Sequence, residues 1–260
     1  MPSASPTRRV ILLGASNLAR SLSTVVETCR LVWREPLEIM AAIGHGRSYG
    51  QDSSICGRNI SGIFPCSLWC DLKSRPNLPT AALVTDIGND LAYEVPVDRV
   101  LTWVEACLDR LAEAGAATII TQLPLASIES IGERRYRLFR ALMFPRCSIP
   151  LAEMKSRADE LARELAAIGA RRKIPVISGS DAWYGIDPIH IKRALARRAW
   201  PAILSAWRDV EPTAVTPRAS LGRWAYVGCL APSERSFFGW RRRCEQPCGR
   251  LADGTTISLY

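Results

Sequence analysis

The chain has 260 residues, 48% of them hydrophobic and 23% charged, a balance that suits a globular protein with a sizeable core and excludes a largely disordered one. Its formal charge of +9 favours anionic partners, but the cations are dispersed. Local clusters at Arg134/Arg135/Arg137/Arg140, Arg171/Arg172/Lys173 and Arg241/Arg242/Arg243 lie in amphipathic or loop-like stretches, so a solvated surface is the first reading and nucleic acid is disfavoured as a partner.

Arg8 and Arg9 precede an apolar run, at 10–13, that Gly14 cuts short; it is too brief for the core of a signal peptide. It reads instead as a buried first strand. No stretch stays apolar for the roughly 18 residues a membrane helix needs, so a cytoplasmic protein without a membrane span is expected. Leu18, Leu22, Val25, Val26 and Cys29 then recur at helical spacing, and Pro36 closes that helix. A second strand is expected at 37–43, followed by the glycine-rich loop 44–50. Residues 51–79 mix cysteine, glycine and proline without a clear period.

A third strand, 81–87, runs into Gly88-Asn89-Asp90. Val97, Val100, Leu101, Val104, Cys107, Leu108 and Leu111 follow at helical intervals, with Gly115 as the stop. The fourth strand, 117–123, ends at Pro124. One or two helices fill about 132–169, with Leu151, Met154, Leu161, Leu165 and Ile168 on one face. The fifth strand is placed at 174–177, and a helix is expected to begin near Asp187 or Pro188.

Strands alternating with helices imply an α/β fold, a three-layer α/β/α sandwich around a five-stranded parallel sheet of flavodoxin-like kind. Residues 1–8 are expected to form a flexible N-terminus and 9–208 the main domain. Residues 209–260, with scattered proline, glycine and aromatics and a hairpin-like turn at 252–256, read as an extension packed against it. Nine cysteines is an odd number, and Cys66-x3-Cys70 repeats the spacing of Cys244-x3-Cys248. With only two histidines in the chain, these read as small buried thiols and no metal site is expected.

In such sheets ligands bind beyond the carboxyl ends of the strands, so residues just after strands are the candidates for chemistry. Ser16, in Gly14-Ala15-Ser16-Asn17, falls where a helix begins. Free backbone N–H groups and positive potential at that point suit a serine nucleophile and its oxyanion. Taken alone, though, Ser16 or Asn17 reads more simply as a helix cap. His190 follows Asp187 by three residues; one helical turn would let the carboxylate orient the imidazole, while Asp-Pro also makes a plain helix start. Asn89 offers an amide donor to an oxyanion or forms an ordinary turn. Gly44 and Gly46 either expose an N–H toward substrate or just bend the chain. Of the two histidines, His45 and His190, only His190 has an acid at one-turn spacing.

Together these residues carry more than they do singly. Gly-Ala-Ser-Asn, the glycine-rich loop, Gly-Asn-Asp and Asp-x-x-His, in that order over about 9–205, resemble the four separated blocks of the SGNH/GDSL hydrolases. The resemblance implies Ser16 as nucleophile, His190 as base and Asp187 as its orienting acid. It implies an oxyanion hole made of the Ser16 N–H, a glycine N–H from Gly46 or Gly44, and the Asn89 amide. It further implies ester hydrolysis through an acyl-enzyme, a small-molecule, carbohydrate or lipid ester as substrate, and no cofactor. His45 and Tyr49, beside the oxyanion loop, are candidate substrate contacts. The family commonly has Gly-Asp-Ser-Leu at the nucleophile, where this chain has Ala15 for Asp and Asn17 for Leu. Ile87 stands where a further glycine often precedes Gly-Asn-Asp. The Gly-x-Ser-x-Gly elbow of ordinary α/β-hydrolases is absent. Two rival readings are an acyltransferase on the same triad and, from the charge, a non-catalytic binder of anionic polymers.

Overall fold

The computed structural model describes residues 5–55, 58–208, 215–237 and 240–260. In chain order the elements are β1 (Arg8–Leu13), α1 (Ser16–Trp33), β2 (Leu37–Ala42), β3 (Ser53–Ile55), β4 (Arg58–Ile60), α2 (Leu68–Ser74) and β5 (Thr80–Val84). Then come α3 (Asn89–Ala92), α4 (Val97–Glu113), β6 (Ala117–Thr121), α5 (Leu125–Glu129), α6 (Glu133–Met143), α7 (Leu151–Arg172) and β7 (Val176–Ile177). The remainder holds α8 (Ala196–Leu204), α9 (Leu221–Gly228), β8 (Glu234–Phe237), β9 (Trp240–Arg243), β10 (Gly249–Arg250) and β11 (Thr256–Leu259).

Strands covered on both faces carry unbroken apolar runs, and β1, β2 and β5 do so: every residue in them except Arg8 is buried. Successive side chains point to opposite faces. Ile11 and Leu13 therefore pack with Val104 and Leu111 of α4 and Leu161 and Leu165 of α7. Val10 and Leu12 pack on the other side with Leu22 and Val26 of α1 and Trp200 and Ile203 of α8. This makes three layers.

The five anticipated strands are present and parallel, in the order β2-β1-β5-β6-β7. The sheet nevertheless has seven strands, which corrects the expected five. β11 joins in parallel beside β2, pairing Thr256 with Glu38 and Ile257 with Ile39, and β10 completes that edge antiparallel. The turn expected at 252–256 is the visible part of this hairpin: Leu251 N–H donates to the Thr255 carbonyl, and Gly254 takes a left-handed φ of 92°. Only four residues of β11 follow it, too few to show a period. Part of the irregular stretch 51–79 pairs with the C-terminal region in a second, antiparallel sheet, β3-β4-β8-β9.

The second, third and fourth strands end earlier than expected, at Ala42, Val84 and Thr121. Apolar residues beyond those ends, notably Ile87 and Leu123, are buried as loop residues. Among the described residues no helix is long and apolar enough to cross a membrane. The eight described cysteines are unpaired thiols, with Cys29, Cys66, Cys107 and Cys147 buried, Cys244 and Cys248 half-buried, and Cys70 and Cys229 exposed.

Candidate active site

The strand order reverses at β1, whose neighbours β2 and β5 lead away in opposite directions, so the crevice expected of such sheets opens at the carboxyl ends of β1 and β5. The β1–α1 turn at this point is tight. A Cβ on Gly14 would sit 2.6 Å from the Thr85 methyl, so only glycine lets this turn pass so close to the end of β5. Ser16 follows as the first residue of α1 and is 7% exposed.

His190 Nε2 lies 2.6 Å from Ser16 Oγ, and its Nδ1 lies 2.6 Å from Asp187 Oδ2. A ring proton on Nδ1 satisfies both contacts, with the serine hydroxyl donating to Nε2. The helix expected at Asp187 is not there: the first helical turn opens at Arg193 and α8 at Ala196. The three-residue spacing works through a loop instead. Asp187 Oδ1 accepts the backbone N–H groups of Ile189 (3.2 Å) and His190 (3.1 Å), a side-chain turn of the kind aspartate favours. One carboxylate oxygen thus shapes the loop while the other holds the ring. Burial raises the Asp187 pKa, but the His190 ring and these two N–H groups outweigh it and hold the carboxyl below its ordinary value. Arg20 Nη1, 3.8 Å from Oδ2, adds a nearby cation.

The cap reading of Ser16 and Asn17 is also corrected. Ala15 occupies the cap position, and no side chain of its own caps the helix. Asp86, just past β5, supplies the acceptor: its Oδ2 takes the N–H groups of Ala15 (2.9 Å) and Asn17 (3.0 Å). Asp86 sits at a left-handed φ of 60°, a conformation aspartate tolerates better than most residues. The Ser16 N–H lies between these two donors and makes no hydrogen bond among the described residues. Asn17 then binds the histidine loop: Nδ2 donates to Asp86 Oδ1 (2.8 Å) and to the Ile189 carbonyl (2.9 Å), while Oδ1 accepts the Ile191 N–H (2.8 Å). Asn17 therefore grips the chain on both sides of His190. Sequence reasoning noted Asn17 as a departure and missed Asp86; the available signal was a second polar residue beside the serine and an acid directly after a strand.

Asn89 opens α3, is 8% exposed and lines the same cleft as Ser16. Its Nδ2 is 3.5 Å from the Arg47 carbonyl, at the limit of a hydrogen bond, so the amide remains available to a better acceptor. Gly44 and Gly46 do not line the cleft. The Gly44 carbonyl accepts the Arg47 N–H (3.3 Å), and Gly46, at φ 59°, presents its carbonyl to the Tyr93 hydroxyl. Their loop reaches Asn89 through Arg47.

His45 is exposed and also lies outside the cleft lining. Tyr49 is fully buried, its hydroxyl donating to the carbonyls of Thr85 (2.7 Å) and Leu13 (3.3 Å). This corrects its reading as a substrate contact: the ring fills the core beneath the strand ends. The loop is anchored further by buried Asp90, which accepts the Ser48 hydroxyl and the Tyr49 N–H (2.9 Å). Burial pushes the Asp90 carboxyl up to about 6, against the opposing effect of those two donors.

From Ser16 and Asn89 a cleft of about 1360 Å³, its open mouth included, extends over the ends of β6 and β7. Its lining comes from α5, α6 and α7, from the 183–191 loop and from α8.

No protein-family model and no curated protein sequence matches the chain. Among solved structures it is similar to the psychrotrophic esterase EstA from Pseudoalteromonas sp., at 14% identity and a TM-score of 0.47, over 77% of this chain and 99% of that one. It is similar to the acetyl xylan esterase AlAXEase at 12% identity and a TM-score of 0.48, over 76% and 98% of the two chains. TesA gives 12% identity and a TM-score of 0.47, over 78% and 98%. Likeness at this level assigns neither family nor activity, which the chain's own residues must carry.

Proposed function

We propose that this chain is a serine hydrolase of the SGNH/GDSL-like kind that cleaves a carboxylic ester through an acyl-enzyme on Ser16. The observation that carries the reading is the continuous Ser16 Oγ–His190–Asp187 chain, with 2.6 Å at each contact, formed by residues 174 apart in sequence. A serine, a histidine and a carboxylate in this order need no such distant meeting for stability alone.

In the proposed reaction His190 Nε2 takes the Ser16 proton as Oγ attacks the ester carbonyl. The tetrahedral oxyanion is held by the Ser16 N–H and the Asn89 amide. His190 then returns the proton to the departing alkoxide, leaving the acyl group on Oγ. A water deprotonated by the same imidazole attacks the acyl-enzyme and releases the carboxylic acid. Asp187 stays ionised throughout and stabilises the imidazolium.

Ser16→Ala and His190→Ala are each expected to lower kcat/KM on activated esters at least ~10³-fold while leaving the fold intact. A fluorophosphonate probe is expected to label the wild-type chain on the peptide containing Ser16. Ester hydrolysis retained in pure Ser16→Ala protein, or labelling elsewhere, overturns the reading.

A further inference from the structure

We infer that Arg47 is a positioning residue for the reaction: its buried guanidinium braces the oxyanion donor Asn89 against Tyr260, the residue after β11. This rests on the serine-hydrolase reading, which gives Asn89 its role.

An arginine side chain is costly to bury, yet Arg47 is 0% exposed. Its planar fork of N–H donors suits carbonyl oxygens that converge from different directions. Three do so here. Nη1 donates to the Ile43 carbonyl (3.2 Å) and to the Tyr260 carbonyl, and Nε donates to the Ser61 carbonyl (3.0 Å). Ile43, Ser61 and Tyr260 are each the first residue after a strand, following β2, β4 and β11. One side chain therefore fixes the ends of three strands relative to one another, across both sheets. Tyr260 is itself pinned: its N–H donates to the Ala41 carbonyl (2.9 Å) and its hydroxyl to Asp71 Oδ2 (2.9 Å).

The backbone of Arg47 meets the site. Its carbonyl faces Asn89 Nδ2 at 3.5 Å, and the next two residues, Ser48 and Tyr49, are held by Asp90. Residues 47–49 thus form the bed on which Asn89 and Asp90 lie. At 3.5 Å the Arg47 carbonyl orients the amide without consuming it. An oxyanion donor works only when it is already aimed. The aim of Asn89 therefore depends on where the guanidinium holds this bed, and through it on the place of Tyr260.

The test is a double-mutant cycle on p-nitrophenyl acetate. Arg47→Lys keeps the cation but cannot hold three carbonyls in a fixed fork. It is expected to lower kcat roughly 10- to 100-fold at nearly unchanged KM. Combined with Asn89→Ala, it is expected to cost no more than about twofold beyond Asn89→Ala alone, because residues that act through one another are non-additive. A chain ending at Leu259 keeps β11 and Arg47 but lacks the Tyr260 carbonyl, and serves if Arg47→Lys fails to fold. The same loss and the same non-additivity are expected of it. The side-chain amide resonances of Asn89, assigned by their disappearance in Asn89→Ala, follow the brace without turnover and are expected to move in both variants. Losses that multiply in the cycle, kcat unchanged in both variants, or amide resonances that stay in place overturn the positioning role and leave the serine-hydrolase reading standing. No ester hydrolysis by the wild type, with amide resonances that still move, overturns the catalytic reading and keeps the brace.

Discussion

Asn17 does for the histidine loop what sequence neighbours cannot. Its amide takes the Ile189 carbonyl and the Ile191 N–H, one residue to either side of His190, and Asp86 fixes the amide in turn. Asn17→Ala is expected to lower kcat by one to two orders of magnitude with little change in KM, because displacing a base by about 1 Å costs ~10²-fold without touching substrate binding. Steady-state kinetics on the wild type's best ester checks the split. A different dependence follows from Asp90. Its carboxyl is raised to about 6 in the folded chain, above the ordinary aspartate value of about 3.9 in an unfolded one. Between those values the native state binds the extra proton, so this group's contribution to stability grows as pH falls from about 6 to about 4, by on the order of 3 kcal/mol. The urea unfolding free energy of the wild type minus that of Asp90→Asn is expected to grow as pH falls across that range.

At the scale of elements, the parts that were legible in sequence are those whose period matches their burial. The α1 face of Leu18, Leu22, Val25, Val26 and Cys29 and the α4 face of Val100, Val104, Cys107, Leu108 and Leu111 are buried as their spacing required. The runs in β1, β2 and β5 were legible for the same reason. Ser16, Asn89, Asp187 and His190 could be picked out because each follows a strand or stands at a fixed spacing from a partner. Asp86 could not, since its role depends on the approach of β5 to the start of α1. Nor could the loop at Asp187, because Asp-Pro opens helices as readily as side-chain turns. β11 was hidden by its shortness, yet Ile257 within it is fully buried against β2 and α1. Ile257→Ala is expected to destabilise the chain by about 2–5 kcal/mol, read as a lower urea midpoint at unchanged slope.

Over the whole molecule, two of the cation clusters noted in the sequence have local partners. Arg171 and Arg172 pair with Glu105 and Asp109 at 2.6 Å each. Arg135 donates to the carbonyls of Gly185 and Ile186, and Arg140 to that of Ile149. Pairs exposed in this way contribute under about 1 kcal/mol each. Arg171→Ala is therefore expected to shift the unfolding free energy by less than about 1 kcal/mol, measured at low salt where such pairs count most. The buried group is a different matter: Glu38 takes Arg9 on one carboxylate oxygen (2.5 Å) and Arg75 on the other (2.6 Å), joining β1, β2 and the segment before β5.

The place of β11 beside β2 also orders events in time. β2 emerges early during synthesis, and the strand that covers its free side comes from residues 256–259. Until those residues are made, β2 presents a row of unpaired backbone groups, a template on which another nascent chain can pair. Closure is a long-range step, with the loop entropy paid before any contact is gained. Until residue 256 is made the sheet therefore keeps an open edge at β2, and a ribosome stalled short of that residue would leave the edge exposed.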